Sequence, residues 1–166
     1  MWNWLVSSLA IGATIVLYDG NPNYPDWGAM WRLIQDERIT IFGCSASYLN
    51  YLRSVGARPG KLYDLTSLRE ISQTGSPLSA EGFEWVYREV KEDLHFNSIS
   101  GGTDINGCFA IGSPTLSVYA GELQAPGLGM KVKAYDEQGT PVVDREGELV
   151  CEALSPSMPI YFLSLI

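Results

Sequence analysis

Apolar residues recur at helical spacing in three stretches of the chain. Each set follows an i, i+3, i+4, i+7 pattern: Trp27, Met30, Trp31 and Ile34; Tyr48, Tyr51, Leu52 and Val55; and Phe83, Val86, Tyr87 and Val90. Such spacing places one apolar stripe along one face of a helix. Asp26, Ser45 and Ser79 precede the three stretches, where a side-chain oxygen caps the first free N–H groups of a helix. The pattern therefore predicts three amphipathic helices.

Short runs with strand character alternate with these helices. They end at turn-forming residues and cover residues 13–18 (ATIVLY), 38–42 (RITIF), 68–74 (LREISQT) and 94–99 (LHFNSI). Strands that alternate with helices form crossover units on a largely parallel sheet. Ligands of such sheets bind beyond the carboxyl ends of the strands. Two glycine-bearing turns, at Gly75 and at Gly101 and Gly102, fall at that edge.

Helical spacing stops after residue 110, and short β runs follow at residues 129–135 (GMKVKAY) and 147–151 (GELVC). The turn-like residues 136–139 (DEQG) lie between the two runs. We expect an α/β chain in which residues 1–110 form a partial, largely parallel sheet with crossover helices. Residues 111–166 are expected to form the start of a small β subdomain, and the chain ends on the apolar residues 161–166.

Composition narrows the classes of partner. Of the 166 residues, 46% are hydrophobic and 18% are charged, which is typical of one globular domain. The formal net charge of −8 argues against nucleic acid and anionic membrane surfaces, because both favour clusters of Lys and Arg. The apolar run at residues 4–18 is interrupted by polar residues and is shorter than a membrane helix requires. We expect neither nucleic acid nor a membrane as a partner.

The three cysteines Cys44, Cys108 and Cys151 are widely spaced and form no C-x-x-C pair. This spacing argues against a zinc site and a disulfide framework, and it favours a reduced, cytoplasmic setting. They are expected to be small buried hydrophobic residues. The only histidine, His95, lies in an apolar run, where a hydrogen-bonded structural residue is more common than a catalyst.

The candidate chemistry concentrates in residues 98–104 (SISGGTD). Gly101 and Gly102 allow close approach of the backbone to a ligand. The Thr103 hydroxyl can bond a phosphate oxygen, and the Asp104 carboxylate can hold a Mg²⁺ ion that bridges phosphates. The alternative is an ordinary turn in which Asp bonds its own backbone. Residues 73–77 (QTGSP) present the same choice between a flat surface for a planar base and a plain strand-to-helix connection.

Taken in order, several segments resemble the adenylate-forming superfamily of acyl-CoA ligases. They are residues 12–20 (GATIVLYDG), 39–43 (ITIFG), 63–69 (YDLTSLR), 74–77 (TGSP), 98–104 (SISGGTD) and 147–151 (GELVC). Residues 2–4 (WNW), 74–78 (TGSPL), 98–105 (SISGGTDI) and 156–159 (PSMP) are similar to the branch whose substrate is acetoacetate. The resemblance covers nearly the whole chain.

The resemblance implies a two-step ligation. A carboxylate attacks the α-phosphate of ATP to give an acyl-adenylate and pyrophosphate, and the CoA thiol then displaces AMP. By motif, Thr103 would contact the α-phosphate and Asp104 would coordinate Mg²⁺. The adenine would lie against Gly75, Ser76 and Pro77.

The resemblance also assigns residues to the acyl end of the site. Gly101 and Gly102 would keep the floor of the acyl and phosphate pocket open, and Asn3 and Trp4 would approach the acyl group. The implied ligands are thus ATP or AMP, Mg²⁺, CoA and a small carboxylate.

Parts of the family pattern are missing from the 166 residues. The resemblance implies a phosphate loop with a lysine upstream. It also implies a ribose-binding aspartate, a hinge and a C-terminal domain with a catalytic lysine downstream. We therefore expect an internal segment of the N-terminal domain of such a ligase, inactive by itself. Two alternatives stay open: a residual binder of adenine nucleotides without turnover, and a non-catalytic interaction partner whose exposed apolar surface would be covered by another chain.

Overall fold

The protein is described by a computed structural model that covers residues 2–161, with the backbone alone for residues 2–4. In chain order the elements are α1 (Trp2–Leu9), α2 (Ala29–Asp36), β1 (Ile41–Ser45), α3 (Ala46–Ser54), α4 (Pro59–Leu62), β2 (Glu70–Thr74), α5 (Ala80–Trp85), a π-helical turn (Val86–Val90), β3 (His95–Ser98), β4 (Ser100–Gly102), β5 (Gly107–Ile111), β6 (Ala125–Pro126), β7 (Val132–Tyr135), β8 (Pro141–Val142) and β9 (Glu148–Cys151). The helices fall among the first strands, and residues 100–151 hold six short strands.

The described strands form three small sheets. β1, β2 and β3 pair in parallel in that order, with Gln73 of β2 opposite Ser98 of β3. β4, β5 and β6 form an antiparallel sheet, and β7 pairs antiparallel with both β8 and β9. The predicted α/β class is confirmed: a parallel sheet with crossover helices comes first, and small antiparallel sheets follow.

The core lies between the parallel sheet and helices α2, α3 and α5. Trp31 of α2, Phe83 of α5 and Phe96 of β3 are almost fully buried. The rings of Phe83 and Phe96 meet edge to face with their centroids 4.7 Å apart. The predicted stripes on α2 and α5 therefore face the sheet, because Met30, Trp31, Ile34, Phe83, Val86 and Val90 are all buried.

Helix α3 buries only part of the predicted stripe, Tyr48 and Leu52, together with a residue outside it. Leu49 is 1% exposed, whereas the predicted stripe members Tyr51 and Val55 are 38% and 46% exposed. The helix contacts both β1 and α5. A helix held between two neighbours buries a broader face than an i, i+3, i+4 stripe, and here that face includes Leu49.

The three predicted caps have different outcomes. The Ser45 hydroxyl accepts a hydrogen bond from the Tyr48 amide at 3.1 Å, so Ser45 caps α3 as predicted. Ser79 occupies the cap position of α5 but its side chain bonds no free amide there. Asp26 lies two residues before the cap residue Gly28, and its carboxylate accepts the Gly28 amide at 2.8 Å. Asp26 thus braces the turn before α2 rather than the first turn of the helix.

The strand predicted at residues 13–18 is not formed, which corrects that expectation. These residues have no regular secondary structure, and Leu17 and Tyr18 are largely exposed. Within residues 2–161 no strand pairs with them. A β-prone run becomes a strand when a neighbour supplies hydrogen bonds and a surface to cover its side chains, and that neighbour is missing here.

Glu152, just after β9, collects three donors beside β7. Its carboxylate accepts the Tyr135 hydroxyl and lies 3.1 Å from the ammonium groups of both Lys131 and Lys133. The Tyr135 hydrogen bond first, and then the bonds from the two lysines, lower the pKa of Glu152 to about 2. A carboxyl whose pKa is lowered by folding stabilises the protein above its unfolded pKa, and this stabilisation is lost as the pH falls through the folded pKa.

We expect Glu152→Gln to lower the free energy of unfolding at neutral pH. The loss should shrink as the pH falls from about 4.5, the ordinary value, to about 2, since protonation removes the same charge from the native protein. Urea denaturation across this pH range measures the effect. Glu148→Gln, at the exposed start of β9, is the matched control. A pH-independent loss at Glu152 would contradict the assignment.

Candidate functional site

Two adjoining cavities open at the carboxyl end of the parallel sheet. Their volumes are about 230 Å³ and 340 Å³, and both are lined by Thr74, Gly75, Ile99 and Gly101. The smaller cavity is completed by Ser72, Gly102, Thr103, Gly107, Cys108 and Ile111. The larger is completed by Ser76, Pro77, Leu78, Ser98, Ser100, Gly121 and Leu123. The structure therefore brings the two glycine-bearing segments together at the predicted edge.

The turn at residues 75–77 forms one wall of the larger cavity. Gly75 has φ = +97°, a conformation that favours glycine and reverses the chain after β2. Pro77 follows at the surface, and the buried Leu78 anchors the far end of the turn. The Thr74 hydroxyl donates to the Ile99 carbonyl at 3.0 Å, which joins the ends of β2 and β3. The turn presents its exposed backbone to the cavity and can accept a flat ligand.

Thr103 and Asp104 lie in a tight turn between β4 and β5. The Asn106 amide donates to the Thr103 carbonyl at 3.0 Å, and Asn106 has φ = +45°. Ile105 is buried and pins the turn to the protein, while Thr103 and Asp104 are exposed. The backbone is thus a tight turn closed by a backbone hydrogen bond. That turn holds Thr103 on the wall of the smaller cavity.

The two glycines of β4 serve different purposes. A Cβ on Gly101 would lie 2.5 Å from the Gly107 carbonyl oxygen and 2.9 Å from the Cys108 Cα. Gly101 is therefore required for β4 and β5 to pair closely. A Cβ on Gly102 would meet nothing nearer than 4.0 Å, so this glycine leaves space beside the cavity.

Asp104 is the carboxylate that the sequence motif predicts for a magnesium ion. Within residues 2–161 no group of three or more His, Cys, Asp or Glu side chains could enclose a metal. Mg²⁺ is commonly held by one or two carboxylates together with substrate phosphates and water. Asp104 is exposed and directly follows Thr103 in the turn, but it lines neither of the two cavities. A single exposed carboxylate is compatible with that donor set only when phosphates and water complete it.

A polar network lies below the smaller cavity and joins β2, β3 and the loop that follows β5. The Glu70 carboxylate accepts bonds from the Ser72 hydroxyl at 2.5 Å, the Asn97 amide at 3.1 Å and His95 Nδ1 at 3.0 Å. His95 Nε2 lies 2.9 Å from the Gln124 side-chain oxygen. His95 is thus a hydrogen-bonded structural residue, as its position in an apolar run predicted.

The Gln124 side chain fixes the loop that carries Gly121 and Leu123. Its amide group donates to the carbonyls of Ser113, Leu116 and Ser117, and its oxygen accepts the Ser113 amide. The same oxygen lies 2.9 Å from His95 Nε2, which links the loop to β3. Burial opposes ionisation of Glu70, but the bonds from Ser72, Asn97 and His95 outweigh it and lower the pKa of Glu70.

Sequence patterns missed several residues of the cavity walls. Cys108 and Ile111 line the smaller cavity because β5 pairs with β4, and Gly121 and Leu123 reach the larger one through their loop. None of these four residues belongs to a local sequence motif. Their positions depend on the pairing of β5 with β4 and on the path of the loop that follows β5. The side chains of Asn3 and Trp4, expected near the acyl group, lie outside the described residues.

Comparisons with known proteins give the class. A family described as AMP-binding enzyme matches residues 1–158. The chain therefore belongs to the AMP-binding enzyme family. It is 49% identical to acetoacetyl-coenzyme A synthetase of Rhizobium meliloti over 98% of the chain and 25% of that protein. It is 40% identical to a malonamoyl-CoA synthetase of Penicillium aethiopicum over 90% of the chain and 23% of that protein.

Solved structures agree with this assignment. Acetoacetyl-CoA synthetase from Streptomyces lividans matches with a TM-score of 0.86 and 46% identity, over 95% of this chain and 25% of that one. An anthranilate CoA ligase at 22% identity shares the fold, with a TM-score of 0.69 over 83% of this chain and 26% of that one. The predicted resemblance to the acetoacetate branch of the adenylate-forming ligases is confirmed. The chain spans about a quarter of the length of the curated relatives it matches. No helix within residues 2–161 is long and apolar enough to cross a membrane.

The contrast between the two glycines can be measured. We expect Gly101→Ala to lower the free energy of unfolding by about 1–3 kcal/mol, because its Cβ meets backbone atoms that cannot move aside cheaply. Gly102→Ala, the matched control one residue away, should change it by less than about 1 kcal/mol. Chemical denaturation of both variants tests this expectation. Equal losses would show that the spacing of β4 and β5 does not depend on Gly101.

Proposed function

We propose that this chain forms the adenine and phosphate part of the nucleotide site of an AMP-forming ligase that joins acetoacetate to CoA. One observation carries the proposal: the turn at residues 75–77 and Thr103 line two adjoining cavities at the carboxyl edge of the parallel sheet. Nucleotides of α/β proteins bind at such edges. Because the chain spans a quarter of its relatives' length, the remaining groups of the site belong to other parts of a longer ligase.

The larger cavity is the proposed place for adenine. Its wall of Gly75, Ser76 and Pro77 is exposed backbone with little side-chain bulk, which suits a planar base. Leu123 on the opposite loop supplies an apolar contact. The shape of this cavity would favour a flat ring, and the backbone groups of the turn would supply hydrogen bonds to the edge of that ring.

The smaller cavity is the proposed place for the α-phosphate and the acyl group. The Thr103 hydroxyl would donate to an oxygen of the α-phosphate, where negative charge grows as the carboxylate attacks and pyrophosphate leaves. Bound Mg²⁺, held by Asp104 and the nucleotide, would neutralise part of that charge. Ile99, Ile111 and Cys108 give this cavity a compact apolar side, which suits a short acyl chain.

Acetoacetate is the proposed carboxylate because two of the relatives named above are acetoacetyl-CoA synthetases, and a cavity of about 230 Å³ is compatible with a small acid. The free thiols of Cys44, Cys108 and Cys151 support the proposed cytoplasmic setting.

A second role as an interaction partner is favoured by exposed apolar side chains, among them Ile11 and Leu128, which another part of a longer ligase or another chain would cover.

Nucleotide binding by the 166-residue chain tests the proposed site. We expect weak AMP binding by calorimetry, weakened by Thr103→Ala through the loss of one hydrogen bond, a factor of roughly 3 to 10. Asp104→Asn should remove the part of the affinity that depends on Mg²⁺ and leave the rest. Thr140→Ala and Asp93→Asn alter exposed residues that line neither cavity and serve as controls. Unchanged affinity in both site variants would contradict the proposed roles.

The same chain should not catalyse the complete ligation. The phosphate loop and the catalytic lysine that the resemblance implies are not among its residues, and no group at the described site replaces their charge in the transition state. We expect no AMP formation that depends on both acetoacetate and CoA, measured by chromatography with ATP and Mg²⁺ present. The prediction is wrong if the chain forms AMP and Thr103→Ala abolishes that activity. This chain would then carry all the groups that the ligation requires.

A further inference from the structure

Gln73 is a polar side chain that the core encloses completely. It is 0% exposed at the carboxyl end of β2, next to the turn at residues 75–77. Its Nε2 donates to the Ser76 carbonyl at 2.7 Å, and its Oε1 accepts the Ser98 hydroxyl at 3.1 Å. A buried amide is costly unless both of its ends are bonded, and here both ends are.

The two partners of Gln73 belong to two different segments that line the larger cavity. Ser76 belongs to the turn and Ser98 to the end of β3, and both line the cavity, whereas Gln73 itself lies behind them. Among the described residues, the bond from Gln73 is the hydrogen bond that ties the Ser76 carbonyl to the sheet. A side-chain amide carries a donor and an acceptor at a fixed separation, so it sets the distance between the turn and the end of β3.

The backbone beside Gln73 supports the same arrangement from the strand side. The Ile99 amide donates to the Gln73 carbonyl at 2.8 Å, so backbone hydrogen bonds join the end of β3 to β2 as far as Gln73. Beyond this point the chain reverses at Gly75, whose φ of +97° leaves the turn without further pairing to β3. The side-chain amide of Gln73 therefore links the turn to β3 at the point where backbone pairing between β2 and β3 has ended.

We propose that Gln73 is a positioning residue for nucleotide binding: its side-chain amide holds the turn at residues 75–77 at the distance from β3 that admits the adenine ring. This inference rests on the proposed function for its ligand, but the positioning itself can be measured without any ligand.

Two substitutions separate the hydrogen bond from the volume of the side chain. Gln73→Met keeps the length and loses both bonds. Gln73→Glu keeps the shape, and it can donate to the Ser76 carbonyl when the carboxyl is protonated but not when it is ionised. Burial raises the pKa of carboxyls, to about 8–9 in extreme cases, so this change falls in a range where the protein can be studied. The titratable group opposite Gln73 is Cys44 of β1, and burial raises the pKa of its thiol to about 12, so it stays neutral.

The first measurement is the backbone order of the turn by ¹⁵N relaxation at Gly75, Ser76 and Leu78. In the unaltered chain the order parameters should be close to the rigid value of about 0.85, and Gln73→Met should lower them toward about 0.6. Gln73→Glu should resemble Gln73→Met at high pH and recover the rigid values as the pH falls. Rigid values in Gln73→Met would overturn the proposal.

The second measurement is AMP affinity, given as the ratio of variant to unaltered chain at each pH so that titration of the nucleotide cancels. We expect Gln73→Met to weaken AMP binding roughly 3- to 10-fold at all pH values, as for the loss of one hydrogen bond. The loss in Gln73→Glu should be at least as large at high pH and should decline at low pH. A turn that loosens without any change in AMP affinity would overturn the role in binding.

Asn97→Asp is the matched control, because Asn97 is also a buried amide, on β3, but bonds Glu70, Ser72 and Gly112 rather than the turn. It should destabilise the chain without loosening residues 75–78 selectively. If the unaltered chain binds no AMP, the proposed function fails, while the relaxation data still decide whether Gln73 orders the turn.

Discussion

Because β2 and β3 run parallel and in register, their carboxyl ends finish side by side, with Gln73 opposite Ser98. Every feature of the candidate site depends on that pairing. It brings the turn after β2 next to the segment after β3, so that residues distant in sequence line the same cavities. The core supports the pairing from below, through Phe83 of α5 and Phe96 of β3, which fix the sheet against the helix that follows the turn.

Polar side chains hold the segments that follow the strands in place relative to the ends of β2 and β3. The Gln73 side chain bonds the Ser76 carbonyl and the Ser98 hydroxyl at the end of the sheet. The Gln124 side chain bonds several backbone groups of the loop after β5. Asn97 adds a third example, accepting the Gly112 amide at 2.6 Å. Amides suit these positions because they neither ionise nor need a counter-ion, and each can satisfy donors and acceptors together. Neutral amides thus fix the turn at residues 75–77 and the loop after β5, while the Glu70 carboxylate lies in the network below the smaller cavity.

Much of this arrangement was accessible from sequence. Helical spacing identified the faces of α2 and α5, and the glycine-bearing segments were expected at the sheet edge where they lie. The failures have physical causes. Residues 13–18 have the composition of a strand but no partner among the described residues, and Leu49 is buried because α3 touches two neighbours at once. Gln124 and Leu123 carry no local signal, because their importance comes from contacts made far along the chain. The roles of Thr103 and Asp104 with a nucleotide stay predictions of motif and placement.

The three thiols differ in a way that is useful to a spectroscopist. Cys44 is enclosed by the core, and burial raises its pKa to about 12, so reagents that require a thiolate reach it poorly. Cys108 is half-buried on the wall of the smaller cavity, and Cys151 lies in β9 of a different sheet. Replacing Cys151 with serine would leave Cys108 as the favoured point for attaching a fluorophore or a fluorinated tag. The chain thus offers a native position from which occupancy of that cavity can be reported directly.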